Sequence, residues 1–364
     1  MNKLYEPTEF ERLVDDPWDA AHVRDRIAAI VADTKLPEAA TLYDGAAGVV
    51  WALDALRDHA ESPLDLRAAV LRALELEREA PDEADDEHHT PGSLFSGEAG
   101  VLLAAFRISP EPHFADDLHA LVLGNVDNPT DDISWGAPGT LLVALAMHER
   151  TGDARWLDAA AESAAALRSR RGEDGLWRQD DDYRGLTTLH GAAGNTLALL
   201  RQQPDEALAR ETAAVLAEHA VRSDGFANWP GTPRPTLARP RDGRVCLQWC
   251  TGAPGVVAGS WDYLDEELLL EAAELVWRAG AHGDEKGHGL CHGTSGNGFA
   301  LLKAFARTGN ELWLERARRF AVHALAQAER MTTRYSLFRG DVGTALFAAA
   351  CLDADPRFPV VDTM

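Results

Sequence analysis

Lysine is almost missing from this chain of 364 residues. It occurs four times, at Lys3, Lys35, Lys286 and Lys303, and arginine supplies the other 31 of the 35 basic residues. Against them stand 59 acidic residues, for a formal net charge of −24. This balance argues against nucleic acid or an anionic membrane as the main partner, since both are bound through basic patches. An acidic, lysine-poor surface stays hydrated where salt screens charge repulsion, which suits a halophilic host; a GC-rich genome alone would also favour arginine. Cysteine is equally scarce, with four residues. Two of them belong to a repeated motif, so no disulfide framework is expected and the protein reads as intracellular and cytoplasmic. No apolar run approaches the ~20 residues of a membrane span. The polar stretch from Met1 to Asp16 lacks the pattern of a signal peptide.

What the chain does have is a sevenfold repeat. A Gly-x-x-Gly signature recurs at Gly45, Gly97, Gly136, Gly191, Gly252, Gly293 and Gly340, with first glycines separated by 52, 39, 55, 61, 41 and 47 residues. That spacing is the length of a helical hairpin with variable loops. An Ala/Leu-rich run follows each motif, as in Val101 to Phe106 or Phe299 to Phe305, and reads as a buried helix. Between motifs lie amphipathic segments such as Trp156 to Arg168 and Leu312 to Gln327, which suit an outer, solvent-facing helix. Seven alternating inner and outer helices predict an all-α fold, an α/α toroid closed from seven helical hairpins and forming one domain over residues 1–364. Open solenoids normally carry polar caps, whereas here the first and last copies keep the motif. In a toroid the seven motif loops share one end, and matching positions ring a common pocket.

Two segments depart from the repeat. Ala80 to Ser93 reads as a solvated acidic loop. Residues 226–245, rich in proline and arginine, lie just before the fifth motif and read either as a substrate-guiding flap over the pocket or as a long solvated connection.

The chemistry concentrates in two motif copies. Cys250 and Cys291 occupy the same position of the frame Cys-x-Gly-x-x-Gly, and His292 adjoins the second. In equivalent repeats these three converge. Two thiolates and an imidazole make a three-ligand zinc set with the fourth position open, the catalytic arrangement. Sulfur-rich ligation weakens the metal as a Lewis acid toward water and keeps a bound thiolate nucleophilic, so thiol activation is favoured over hydrolysis. Cys351, on an Ala-rich run, reads as core, and Cys246 as a residue that lines the pocket. His190 precedes Gly191 as His292 precedes Gly293, and registration assigns it proton transfer. Asp132 or Asp131 would orient it or meet a substrate amide, with a helix N-cap as the alternative. Trp249 and Trp135 read as aromatic pocket walls or, equally, as core. His88, His89, His282 and His288 fall in loops outside the register and are expected at the surface.

With the seven Gly-x-x-Gly copies, the Trp249-Cys250 and Cys291-His292 motifs, and Leu189-His190-Gly191, the chain resembles the lanthionine synthetase C-like family over essentially its whole length. The resemblance implies an α/α toroid with one zinc held by Cys250, Cys291 and His292. His190 would be the acid/base histidine, and Asp132 or Asp131 would match the family's aspartate. It also implies an enzyme that adds a thiol to dehydroalanine or dehydrobutyrine, either cyclising a peptide or adding glutathione. Two positions depart from the pattern of bacterial cyclases. Cys246 stands where they have an arginine, with Arg241 and Arg244 nearby as candidate substrate-binding cations, and Thr251 stands where they have tyrosine or histidine. The alternatives are a zinc-stabilised thiol- or peptide-binding module without turnover and an α/α-toroid glycoside hydrolase. The latter needs a carboxylate pair, for which Glu98 and Asp341 are the motif candidates.

Overall fold

The computed structural model describes residues 3–81, 90–181, 183–233, 244–332 and 334–364. Among these residues are fourteen α-helices in strict alternation. Seven outer helices are α1 (Ala20–Asp33), α3 (Leu66–Glu79), α5 (Pro112–Gly124), α7 (Arg155–Arg170), α9 (Glu206–His219), α11 (Glu266–Ala279) and α13 (Glu311–Arg330). Seven inner helices are α2 (Ala46–Ala55), α4 (Glu98–Ile108), α6 (Ala137–Thr151), α8 (Ala192–Gln202), α10 (Ala253–Ser260), α12 (Thr294–Thr308) and α14 (Asp341–Asp353). Each inner helix begins directly after the first glycine of a motif. The α14 helix packs against both α1 and α2, which closes the ring and makes the fold the expected α/α toroid. None of the described helices is long and apolar enough to cross a membrane.

The two helix classes start differently because their surroundings differ. Several outer helices are capped by side chains: Asp19, Asp65, Asp205, Asp265 and Asn310 accept backbone N–H bonds from the first turn. The inner helices begin on glycine with no side-chain cap. In four of them the first donor finds a loop carbonyl seven residues earlier, Ala46 to Ala39, Ala192 to Gly185, Thr294 to Gly287 and Asp341 to Arg334, while in α10 Ala253 donates to the Asn228 side chain. The four loop bonds fold their motif loops tightly back over their own helices. The inner helices are apolar on nearly all sides, as their position between the axis and the outer ring demands; in α12 every residue from Thr294 to Ala304 is buried.

Neighbouring loops are stitched together by backbone hydrogen bonds that run around the ring. Tyr43 N–H donates to Phe95, Phe95 to Ser134 and Ile133 to Leu189. Thr188 donates to Gly255, Cys250 to Cys291, Cys291 to Phe338, and Phe338 back to Tyr43. Two short antiparallel pairs add to the rim: β1 (Phe10–Glu11) with β4 (Ala281–His282), and β2 (Val221–Ser223) with β3 (Phe226–Asn228).

The second glycine of each motif permits this compaction. A Cβ at Gly296 would lie 1.8 Å from the Leu290 carbonyl oxygen, and one at Gly255 would lie 1.9 Å from that of Trp249. Gly296→Ala should therefore cost more than about 2 kcal/mol in urea unfolding, because backbone must move in the loop that carries Cys291. Gly124→Ala, with nothing within 4 Å of the added atom, should be neutral or stabilising by up to ~1 kcal/mol. Equal midpoints for the two variants would refute the packing argument.

Candidate functional site

One register accounts for almost the whole site. The residues one and two places before the first glycine of the first, second, third, fourth and sixth motifs, with Cys250 from the fifth, point toward the axis at the loop end of the toroid. There they enclose a cavity of about 310 Å³. From the fifth and sixth repeats come Cys250, Cys291 and His292, and from the third and fourth Trp135 and His190, with Tyr43 and Asp44 from the first. A larger cavity of about 920 Å³ opens at the opposite ends of the inner helices and contains none of these groups.

The ligating atoms of Cys250, Cys291 and His292 all lie within 4.8 Å of one another. The Cys291 sulfur is 3.6 Å from His292 Nε2. Gln248, itself buried, donates from Nε2 to the Cys250 sulfur at 3.0 Å. Hydrogen bonding from Cys291, then the proximity of His292 and His190, pulls the Cys250 thiol well below its ordinary range against the effect of burial. Burial and the neighbouring Cys250 charge push Cys291 well above its own. The pair thus holds one negative charge comfortably and resists the second. All four cysteines are free thiols.

Across the cavity, His190 Nδ1 meets Asp132 Oδ2 at 2.8 Å. Asp132 is fully buried, and its other oxygen accepts the Trp135 backbone N–H at 2.9 Å. The carboxylate therefore fixes the ring and its Nδ1–H tautomer, leaving proton exchange to Nε2. The Trp135 ring stacks on His190 at 5.1 Å. The hydroxyl of Tyr43 is held protonated, first by burial and then by the sulfurs of Cys291 and Cys250.

Other expected residues fall elsewhere. Asp131, adjacent to Asp132, points the opposite way and pairs with Arg170 at 2.8 Å; burial outweighs that cation and raises its carboxyl to about 6. Trp249 lies in the core, stacked on Phe358 at 4.3 Å, rather than on the cavity wall. Thr251 lies beside Cys250, its hydroxyl 3.8 Å from the sulfur. Arg244 is on the surface, bonded to Glu285 at 2.6 Å. Arg241, His88 and His89 lie outside the described residues, as do positions 82–89 of the acidic loop and 234–243 of the proline- and arginine-rich segment. Cys246 is buried, with its carbonyl accepting from Asn228, and does not line the cavity; Cys351 is core. Glu98 is tied to Arg78 and Asp341 to His288, so the carboxylate pair of a glycoside hydrolase is not assembled.

His282 and His288 correct the surface expectation, for both are buried. The β1–β4 pairing lays Phe10 over His282 at 4.4 Å, and its Nε2 meets the Leu247 carbonyl. His288 Nδ1 bonds the Thr344 hydroxyl, and its Nε2 lies 3.2 Å from Asp341 Oδ1. Burial lowers their pKa values to about 3 and about 4. Tyr43, Asp44, Ser96, Ser134 and Gln248 were not anticipated. The signal for the first four was present, since they hold the same register as His190 and the cysteines. Gln248 carries no such mark.

Comparison with known proteins gives one consistent result. A family model described as lanthionine synthetase C-like protein matches residues 30–363. The chain is 30% identical over 198 residues to the Danio rerio protein named glutathione S-transferase LANCL1, covering 50% of this chain and 46% of that one. It is 34% identical over 137 residues to LanC-like protein GCL1 of Arabidopsis thaliana, covering 33% and 30%. The chain thus spans less than half the length of either relative. The solved structure of nisin cyclase aligns over 91% of this chain and 92% of its own, with a TM-score of 0.57 at 15% identity, a likeness of fold.

The buried histidines set a pH dependence. His282 stays neutral when folded, down to about 3, but takes a proton near 6.5 once unfolded. The unfolded state therefore binds more protons below 6.5, and stability falls as pH drops through that window. From pH 7.5 to 5 the loss from this one residue is on the order of 2 kcal/mol. Urea unfolding of His282→Gln at both pH values should show the acid loss reduced by about that amount; an undiminished loss would remove His282 as its source.

Proposed function

The chain belongs to the lanthionine synthetase C-like family, and we propose that it adds a thiol across the double bond of a dehydroamino acid to form a thioether. The observation that carries this reading is the Cys250–Cys291–His292 cluster facing the His190–Asp132 pair across one cavity. The donor set fits zinc. The 3.6 Å between Cys291 sulfur and His292 Nε2 is close to the roughly 3.5 Å edge of a tetrahedral site with ordinary zinc–sulfur and zinc–nitrogen bonds. A divalent cation would also supply the charge that allows both thiols to ionise together. Bound zinc would lower the pKa of an incoming thiol and present it as thiolate.

The chain's own residues would do the rest. His190 Nε2 takes up the proton the thiol gives up, the sulfur forms a bond to Cβ of the dehydroalanine or dehydrobutyrine as the π electrons move toward the carbonyl, and Cα then takes that proton from Nε2. The sum is addition of S–H across C=C, with no change of oxidation state beyond that. Asp132 holds the imidazole in place and stabilises its charged form, a positioning role. Trp135 limits the movement of the ring and keeps water from one face. The cavity volume is at the small end for ligand sites, which favours a small thiol such as glutathione as donor and a residue on a peptide or protein as acceptor. The name of the Danio rerio relative agrees with that choice. Because Cys250 and Cys291 must remain thiols, the proposal places the protein in a reducing compartment such as the cytoplasm.

The deciding experiment pairs elemental analysis of the purified protein with a thiol-addition assay in high salt, offering glutathione and a cysteine peptide separately to a dehydroalanine peptide. Stoichiometric zinc with thioether product is expected. Zinc without product would mean a binding module, and no zinc would overturn the metal assignment.

Two variants separate the roles. His190→Asn should lower turnover by roughly 10²–10⁴ while retaining zinc; unchanged turnover would exclude the proton-transfer role. Cys291→Ala should lose stoichiometric zinc and unfold at lower denaturant, because ligation couples to folding.

A further inference from the structure

Ten residues after the first glycine, the inner helices of the second, fourth and sixth repeats each carry a cation: Arg107, Arg201 and Lys303. The same position holds alanine in the first, third and seventh repeats (Ala55, Ala146, Ala350) and Asp262 in the fifth. Three cations therefore stand on alternate inner helices at the end of the toroid away from the cysteines, around the larger cavity. All three reach one stretch of chain, residues 355–364. Lys303, one of the four lysines and itself buried, donates to Asp362 Oδ2 at 2.8 Å. Arg201 bonds the Asp362 carboxylate and the Val361 carbonyl. Arg107 approaches the Thr363 carbonyl at 3.5 Å.

Asp362 passes this hold inward. Its Oδ2 also accepts the Phe358 backbone N–H at 2.7 Å, and its own N–H donates to the Phe358 carbonyl at 2.9 Å. The intervening turn sets Val360, a β-branched residue, at φ +65°, a left-handed conformation that such residues adopt only when their surroundings enforce it. Burial alone would raise the Asp362 carboxyl, but Lys303 and Arg201 outweigh it and hold the group below its ordinary range. The charged latch is therefore complete at neutral pH.

The turn delivers the Phe358 ring into the centre of the toroid, 1% exposed. It stacks on Trp249 at 4.3 Å and 8°, and its centroid lies 6.4 Å from that of Phe338. Trp249 is covalently joined to Cys250, and the Phe338 carbonyl accepts the Cys291 N–H at 2.9 Å. One ring thus touches a neighbour of each cysteine, from the side opposite the cavity.

We propose that segment 355–364 is a positioning element for the thiol pair, with Phe358, anchored through Asp362 on the Arg201 and Lys303 cations, fixing the separation of Cys250 and Cys291. The inference rests on the metal reading above and adds residues to it. Phe358 touches no reacting atom in this scheme. It acts by setting the loops that bear the ligands, so its removal should loosen the metal more than a general loss of stability would.

The test measures metal affinity by competition with a chromophoric chelator, together with the thiolate-to-metal absorption band of the cobalt-substituted protein. Phe358→Ala should weaken affinity at least tenfold and reduce or shift that band, with Phe358→Leu recovering most of both. Leu118→Ala, a fully buried position on the outer helix α5, serves as the control for general destabilisation and should change affinity less than twofold. Asp362→Asn should lie between wild type and Phe358→Ala, and it carries the test if Phe358→Ala does not fold. Affinity and spectrum unchanged in the Phe358 or Asp362 variants, or lowered equally in Leu118→Ala, would overturn the inference while leaving the metal reading intact. A wild-type protein that binds no metal would instead fail the parent reading, and this inference with it.

Discussion

A circuit of backbone hydrogen bonds, running loop to loop from Tyr43 through Phe95, Ile133, Thr188, Cys250, Cys291 and Phe338 and back to Tyr43, holds the working end of this protein. Each bond joins a motif loop to the next repeat, at its loop or, for Thr188, at Gly255 in the first turn of α10, so no loop can shift without disturbing its neighbours. Both cysteines donate within this circuit. Their sulfurs are therefore placed by the ring as a whole rather than by any one helix. The second glycines make the circuit possible, because a side chain there would push each loop off its own helix.

The repeat made the fold legible. Seven Gly-x-x-Gly copies followed by apolar runs predict seven inner helices, and the structure begins one after each motif. The same register carried Cys250, Cys291, His292 and His190 to one cavity, since closure converts equal sequence position into equal spatial position. It was less informative about direction. Asp131 and Asp132 are neighbours, and only the fold decides that one faces His190 while the other faces Arg170. Trp249 had two equal readings, and the core won because Phe358, more than a hundred residues away, arrives to cover it. His282 and His288 looked like loop residues, and tertiary contacts with Phe10, Thr344 and Asp341 buried them.

Charge is divided between the two ends of the toroid. At the loop end, thiols, imidazoles and aromatic rings face a small cavity. At the other end, Arg201 and Lys303 are matched by the Asp362 carboxylate and a carbonyl of segment 355–364, while Arg107 pairs with Asp54 at 2.6 Å and approaches the Thr363 carbonyl. In a chain with a net charge of −24, buried lysine is a costly choice, since an unpaired interior ammonium would deprotonate or force unfolding. Its pairing with Asp362 makes position 303 a lock on one particular arrangement of the chain.

Ring closure also imposes an order of events on a chain made from its N-terminus. Cys250 and Cys291 precede Phe338 and Phe358 in the chain, so the ring that stacks on Trp249 and the carbonyl that accepts the Cys291 N–H come from segments made after them. Until those segments dock, the two thiols sit on an incomplete arc, open to oxidation. A toroid, unlike a linear stack of repeats that firms up one unit at a time, brings its cavity-lining residues together only on closure, so the repeats that follow the cysteines are as necessary to the site as those that bear them.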